Sequence, residues 1–309
     1  MTTRSDTITP GGLKSDDEHR ADICNVGRWI HQHGYVAATD GNITVRLDNQ
    51  RILTSPTAVS KGMMEPDDLV IVDYQGKKIS GRKAASSEIA MHLLIYKRRP
   101  DVNAICHAHP PVATGYAAAN LPLSKALISE VVLALGCIPV AQYGTPGTPE
   151  LTRALEPLVA RYDAILMANH GVVTYGEDLR MAYFRMETVE HFARVSLVTE
   201  LLGREVLLSS TDVEKLLEAR RRYGMETAAP ISAECPVTAE ARREEPAPEA
   251  SGGPVPAARP EESHGGAMHQ HGAGCACGLP AGGEGARFSL TQQELERLID
   301  EAMRELHRR

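Results

Sequence analysis

No run of 18 consecutive apolar residues occurs in the 309-residue chain, so no segment reads as a membrane-spanning helix. The N-terminal stretch MTTRSDTITPGGLKSDDEH has no apolar core of the kind a secretory signal carries. Both absences point to a soluble, cytoplasmic protein with no membrane partner. Cysteine is sparse: six residues, at positions 24, 106, 137, 235, 275 and 277, with irregular spacing. That distribution predicts reduced thiols and no disulfide framework. Positive charge is in deficit as well, with 33 Lys and Arg against 40 Asp and Glu, a net charge of -7 and a pI near 6.0. Nucleic acid and anionic membrane surfaces are therefore poor partners. A small anionic substrate stays open, because local donors matter more to it than net charge. No internal repeat is visible.

The length exceeds the usual ~100–200 residues per domain, which predicts one large core with additional segments. Residues 1–17 read as a polar N-terminal tail. From 18 to 226 helical and strand-like patterns alternate. Helices are predicted over 21–33, 87–97, 149–161, 179–202 and 211–223, and strands over 43–47, 69–72, 104–108, 139–142 and 164–168. Short β-branched apolar runs between helices predict a layered α/β domain. Residues 227–287 are rich in Pro, Ala, Gly and Glu with few large apolar side chains, and read as a disordered linker. Amphipathic order returns over 288–309. There Thr291 and Glu294 match a capping box, Leu290 and Leu295 match a hydrophobic staple, and Leu295, Leu298, Ile299, Ala302, Met303 and Leu306 share one helical face.

Three histidines stand out. Asn103-Ala-Ile-Cys-His-Ala-His109-Pro reads as a strand ending in a His-X-His pair. Alternation along a strand sends His107 and His109 to one side, which suits two imidazoles on one Zn²⁺. A third candidate ligand, His170, closes another apolar strand in Ala168-Asn-His-Gly171. Strand-end histidines that simply hydrogen-bond locally present the same pattern. Glu88, in Ala85-Ser-Ser-Glu-Ile89, sits at a helix start where amides and the dipole favour anions. Ser86 and Ser87 there suit a phosphate, with Glu88 as an acid/base nearby, although ordinary N-capping gives the same string. The turn Thr39-Asp-Gly-Asn42, with Gly41 and Asn42, leaves amides open to an anion or is merely a turn. Thr54-Ser-Pro-Thr57, followed by Ser60-Lys-Gly62, is a third such segment.

Taken together, Thr39-Asp-Gly-Asn-Ile-Thr-Val-Arg46, Thr57, Ser86-Ser-Glu88, His107-Ala-His109, Tyr143-Gly-Thr-Pro-Gly147 and Asn169-His-Gly171 resemble the class II aldolase/adducin family in order and spacing. Within it they are most similar to the L-fuculose-1-phosphate aldolases. The resemblance covers residues 18–226 and implies a three-layer αβα sandwich around a central mixed, largely antiparallel sheet, assembled as a homotetramer. It implies Zn²⁺, or another divalent ion, on His107, His109 and His170, with Glu88 as catalytic acid/base. It further implies a phosphate site lined by Gly41, Asn42, Thr57, Ser86 and Ser87. Tyr223 matches a C-terminal tyrosine that reaches a neighbouring subunit's site. The family's other catalytic tyrosine, about nineteen residues after His109, has no counterpart, since Leu127-Ile-Ser129 stands there. Ala58 replaces a glycine common in the phosphate region.

The implied reaction is metal-assisted cleavage of a ketose 1-phosphate, such as fuculose 1-phosphate, to dihydroxyacetone phosphate and an aldehyde such as lactaldehyde. The family also contains ribulose-phosphate 4-epimerases, which carry Asp in place of Glu88, and methylthioribulose-1-phosphate dehydratases, for which Glu130 is the candidate glutamate. An adducin-like assembly role is the non-enzymatic alternative. The segment 288–309 resembles an encapsulation peptide of bacterial microcompartment cargo, which implies a shell or co-cargo partner and residence inside a microcompartment. The linker's His264, Met268, His269, His271, Cys275 and Cys277 form a soft-ligand cluster, read as opportunistic metal binding or no role, because Gly surrounds it.

Overall fold

The computed structural model describes residues 14–222. The expected linker, the amphipathic segment 288–309 and Tyr223 lie outside the described residues.

The first helix, α1 (Asp16–Gln32), begins inside the stretch expected to be a tail. A capping box explains the earlier start. The Ser15 hydroxyl accepts the Glu18 N–H, and the Glu18 carboxylate accepts the Ser15 N–H at 2.7 Å. Asp16, Asp17 and Glu18 add negative charge at the positive end of the helix.

Next come β1 (Asn42–Arg46), β2 (Ile52–Thr54), β3 (Val70–Val72), β4 (Lys78–Ser80), α2 (Ile89–Arg98) and β5 (Ala104–Ala108). Then follow α3 (Pro111–Ala118), α4 (Ser129–Ala134), β6 (Val140–Ala141) and α5 (Pro149–Val159). The described part closes with β7 (Ala164–Met167), β8 (Gly171–Gly176), α6 (Leu179–Leu201) and α7 (Ser210–Arg222). Among the described residues the strands form one sheet of eight in the order β4-β3-β2-β1-β5-β8-β7-β6. All neighbours are antiparallel except β6 and β7. The sheet is therefore mixed and largely antiparallel, as expected.

Both faces of the sheet are covered, which is why the central strands read as continuous apolar runs. On β5, Ala104, Cys106 and Ala108 join one buried cluster, which includes Ile23 and Ile30 of α1, Tyr116 of α3 and Phe192 of α6. Ile105 points the other way, into a cluster with Met91 and Ile95 of α2 and Leu155 and Leu158 of α5. Two helical layers on one sheet make a three-layer αβα sandwich. Cys24 and Cys106 are buried free thiols.

Candidate metal centre

His107 lies on β5 opposite Asn42 of β1, and His109 follows one residue beyond the strand. Their rings project to one side, as alternation predicts, with Nε2 atoms 3.1 Å apart. His170 comes from the tight turn joining β7 to β8. Met167 and Gly171 pair at its base, and Asn169 adopts a left-handed φ of 54°, a conformation Asn tolerates better than most residues. The His170 ring centroid is 4.8 Å from that of His107 and 5.1 Å from that of His109. Each ring offers one nitrogen, and the three nitrogens lie within 4.8 Å of one another.

Two glycines permit this convergence. A Cβ at Gly171 would lie 2.4 Å from His109 Cδ2 and 2.7 Å from the Ala108 carbonyl oxygen. At Gly41, whose φ is +73°, a Cβ would meet the His107 carbonyl oxygen at 2.7 Å. Glycine at 171 is thus explained by close approach, and at 41 by both approach and backbone conformation.

The outer nitrogens of His107 and His109 set the tautomers of those two rings. His107 Nδ1–H donates to the Val172 carbonyl at 2.8 Å, leaving Nε2 as a bare acceptor. Asp40 Oδ2 lies 3.5 Å from His109 Nδ1 and favours a proton there. Those assignments aim two nitrogen lone pairs at each other across 3.1 Å, an arrangement that calls for a cation between them. Tetrahedral ligands about 2.0–2.1 Å from one ion stand about 3.3 Å apart, so the spacing fits. Burial pushes the imidazoles of His109 and His170 down to about 4, so both are neutral donors at physiological pH. The donor set fits a divalent ion held by His107, His109 and His170.

Glu88 caps the entry to α2 from directly beside this cluster. Its Oε2 is 3.3 Å from His107 Nε2, and its Oε1 is 3.3 Å from His170 Nε2. Burial alone would raise its carboxyl, but His107, His170 and the Asn42 amide outweigh burial and hold it well below the usual carboxylate range. Glu88 is therefore ionised at rest.

The other expected residues fall nearby. Asn42 Nδ2 donates to Glu88 Oε2 at 2.8 Å, so its side chain is committed to the carboxylate and only its backbone remains for an anion. The Ser86 hydroxyl accepts the Glu88 N–H at 3.2 Å, while Ser87 is exposed. Thr57, also exposed, reaches that segment through its N–H to the Ala84 carbonyl, beside the Pro56–Ala85 bridge. Gly147 abuts Ser87, so the Tyr143–Gly147 segment borders the same edge. Glu130 is exposed in the first turn of α4.

Several residues that sequence reasoning missed support the site. Asp40 backs His109. The Lys61 ammonium is buried and donates to the carbonyls of Thr39 and Val59, pinning the turn before Gly41. His92 is fully buried and bonds the far end of the Asn42 amide.

Residues 21–197 match the class II aldolase and adducin N-terminal domain. A 3-oxo-tetronate 4-phosphate decarboxylase from Pectobacterium atrosepticum is 34% identical over 213 residues, spanning 67% of this chain and 96% of its own. A 5-deoxy-D-ribulose 1-phosphate aldolase from Bacillus thuringiensis is 32% identical over 213 residues, spanning 68% and 98%. Among solved structures, an L-fuculose 1-phosphate aldolase superposes with a TM-score of 0.62 at 29% identity, covering 68% of this chain and 98% of that one. Because the domain match takes in every strand and turn that carries His107, His109, His170 and Glu88, the chain belongs to the class II aldolase/adducin family.

Proposed function

We propose that this protein is a divalent-metal-dependent aldolase, most simply a zinc enzyme, that cleaves a ketose 1-phosphate to dihydroxyacetone phosphate and a short aldehyde. The observation carrying this reading is the convergence of three imidazole nitrogens beside one ionised, buried carboxylate. A divalent ion on His107, His109 and His170 supplies a Lewis acid at the oxygen where negative charge develops as the carbon–carbon bond breaks. Glu88 handles the proton at the adjoining carbon: ionised it takes that proton in the condensation direction, and protonated it returns the proton in cleavage. Gly41, the Asn42 backbone, Thr57, Ser86 and Ser87 hold the phosphate and so fix the carbon chain against Glu88. Tyr223 is the candidate for the proton on the aldehyde oxygen.

A second reading is favoured by one departure. Leu127-Ile-Ser129 stands where the aldolases place a tyrosine, and the decarboxylase relative is 34% identical. Loss of CO₂ from a 3-oxo acid phosphate leaves the same three-carbon phosphate and needs no base for a departing hydroxyl proton. The discriminating assay supplies fuculose 1-phosphate, rhamnulose 1-phosphate, 5-deoxyribulose 1-phosphate and 3-oxo-tetronate 4-phosphate, and follows dihydroxyacetone phosphate together with aldehyde or CO₂. An aldehyde co-product supports the aldolase. CO₂ alone transfers the function to decarboxylation, and no turnover of any substrate sinks both. A scaffold role is disfavoured because the three histidines and Glu88 keep a reactive geometry.

Assembly as a homotetramer is supported by uncovered apolar side chains along α6, among them Phe184, Val198 and Leu201. The tail's resemblance to an encapsulation peptide supports residence in a microcompartment, where a released aldehyde would be confined.

A further inference from the structure

Asn42, Thr44 and Arg46 alternate along β1 toward the face covered by α2, while Ile43 and Val45 enter the opposite core. Glu88, His92 and Tyr96 recur every fourth residue at the entry to α2 and along it. Two residues of strand advance about 6.6 Å and four of helix about 6 Å, so the two series can meet rung by rung. They do. Asn42 binds Glu88, Thr44 binds both His92 and Tyr96, and Arg46 donates to the Tyr96 carbonyl at 3.1 Å with its guanidinium 4.8 Å from the Tyr96 ring centre.

The hydrogen bonds run in one direction. Asn42 presents its NH₂ to Glu88 Oε2 and so turns Oδ1 away from the carboxylate. Oδ1 then accepts from His92 Nε2–H. Burial pushes the His92 imidazole down to about 3, so it is neutral, and its Nδ1 is the bare nitrogen. That Nδ1 accepts from the Thr44 hydroxyl at 2.8 Å, and Thr44 in turn accepts from the Tyr96 hydroxyl at 2.8 Å. Reversing the His92 tautomer would turn the Asn42 oxygen toward the carboxylate, setting acceptor against acceptor.

We infer that Thr44 and His92 are positioning residues for Glu88: the buried chain from Tyr96 through Thr44, His92 and Asn42 fixes which end of the Asn42 amide faces the carboxylate, and so how the carboxylate is held. This rests on Glu88 being the proton-transferring group. None of these residues touches the metal-ligand nitrogens, and the chain acts only through Asn42.

The test uses the full-length protein and its Thr44→Val and Thr44→Ser variants. In wild type, ¹⁵N-histidine spectra should show His92 protonated at Nε2 and bare at Nδ1. Thr44→Val should disturb that signature and lower kcat about 10- to 100-fold, with KM and metal content unchanged. Thr44→Ser, which keeps the hydroxyl, should restore both. A wild-type His92 carrying its proton on Nδ1 overturns the chain without any variant. A folded Thr44→Val enzyme with wild-type kcat overturns the positioning role alone. A wild-type protein that turns over none of the candidate phosphates overturns the reading of Glu88 itself.

Discussion

Gly171→Ala is the most stringent small perturbation of the metal centre. Gly171 is not in a left-handed conformation, so alanine there strains no dihedral and acts through bulk alone. Its methyl would lie 2.4 Å from His109 Cδ2, 2.7 Å from the Ala108 oxygen and 3.3 Å from His107 Cε1. Ordinary contact requires the His109 ring to retreat by about 1 Å, whereas a good site tolerates about 0.2 Å in ligand distance. The Ala108 carbonyl belongs to β5 and cannot swing aside without parting β5 from β8, where Ala108 pairs with Val172. Overpacking of this kind costs about 1–3 kcal/mol, which a domain of this size survives. Metal affinity should fall by at least about 10- to 100-fold, the usual effect of disturbing a ligand's support. The assay is metal per chain by mass spectrometry, then chelator competition, with melting followed by circular dichroism. Gly115→Ala is the control, because nothing lies within 4 Å of its Cβ position. A Gly171→Ala protein that binds metal as tightly as wild type would refute the packing of three imidazoles around one ion.

Three further expectations follow from the same geometry. Glu88→Gln should retain the metal and lose about 10²–10⁴-fold in turnover, read from steady-state kinetics alongside metal content; wild-type activity would remove Glu88 from proton transfer. The imidazoles of His92, His109 and His170 lie at about 3, 4 and 4 in the folded chain, chiefly because burial disfavours their charge, against an ordinary 6.5. Between those values the unfolded chain binds more protons, so the metal-stripped protein should lose stability as pH falls from about 6.5 toward 4, and a Tm flat across that window would contradict it. A fluorescent protein carrying residues 288–309 should enter microcompartment shells when co-expressed with them, and diffuse fluorescence would count against the targeting role.

Much of this was legible in the sequence because local pattern and tertiary demand agree there. The run 104–108 is β5 to the residue, and 149–161 and 179–202 overshoot α5 and α6 by one or two residues. What escaped lacked a local signal. β2 and β4 are three residues each, too short for a period to show. α3 (Pro-Val-Ala-Thr-Gly-Tyr-Ala-Ala) has no amphipathic stripe, and its start is held from afar, where Glu190 accepts the N–H groups of Val112 and Ala113. At the site, His107 and His109 were visible from strand alternation, and His170 from its place at the end of an apolar strand. Asp40 and His92 were not, because each acts through a partner distant in sequence. The ladder of Asn42, Thr44 and Arg46 against Glu88, His92 and Tyr96 has a clean period in both segments. Yet polar residues on a strand's alternate positions ordinarily face water, and only the covering α2 makes them a buried network.

X-ray absorption at the metal edge of the purified, metal-loaded protein tests the central claim most directly. Three imidazole nitrogens at about 2.0–2.1 Å with oxygen completing the shell, and their number reduced by His170→Ala, is the predicted result. Sulfur at about 2.3 Å, or a spectrum indifferent to His170, would put the ion elsewhere, the cysteines and histidines of 264–277 included, and would contradict it.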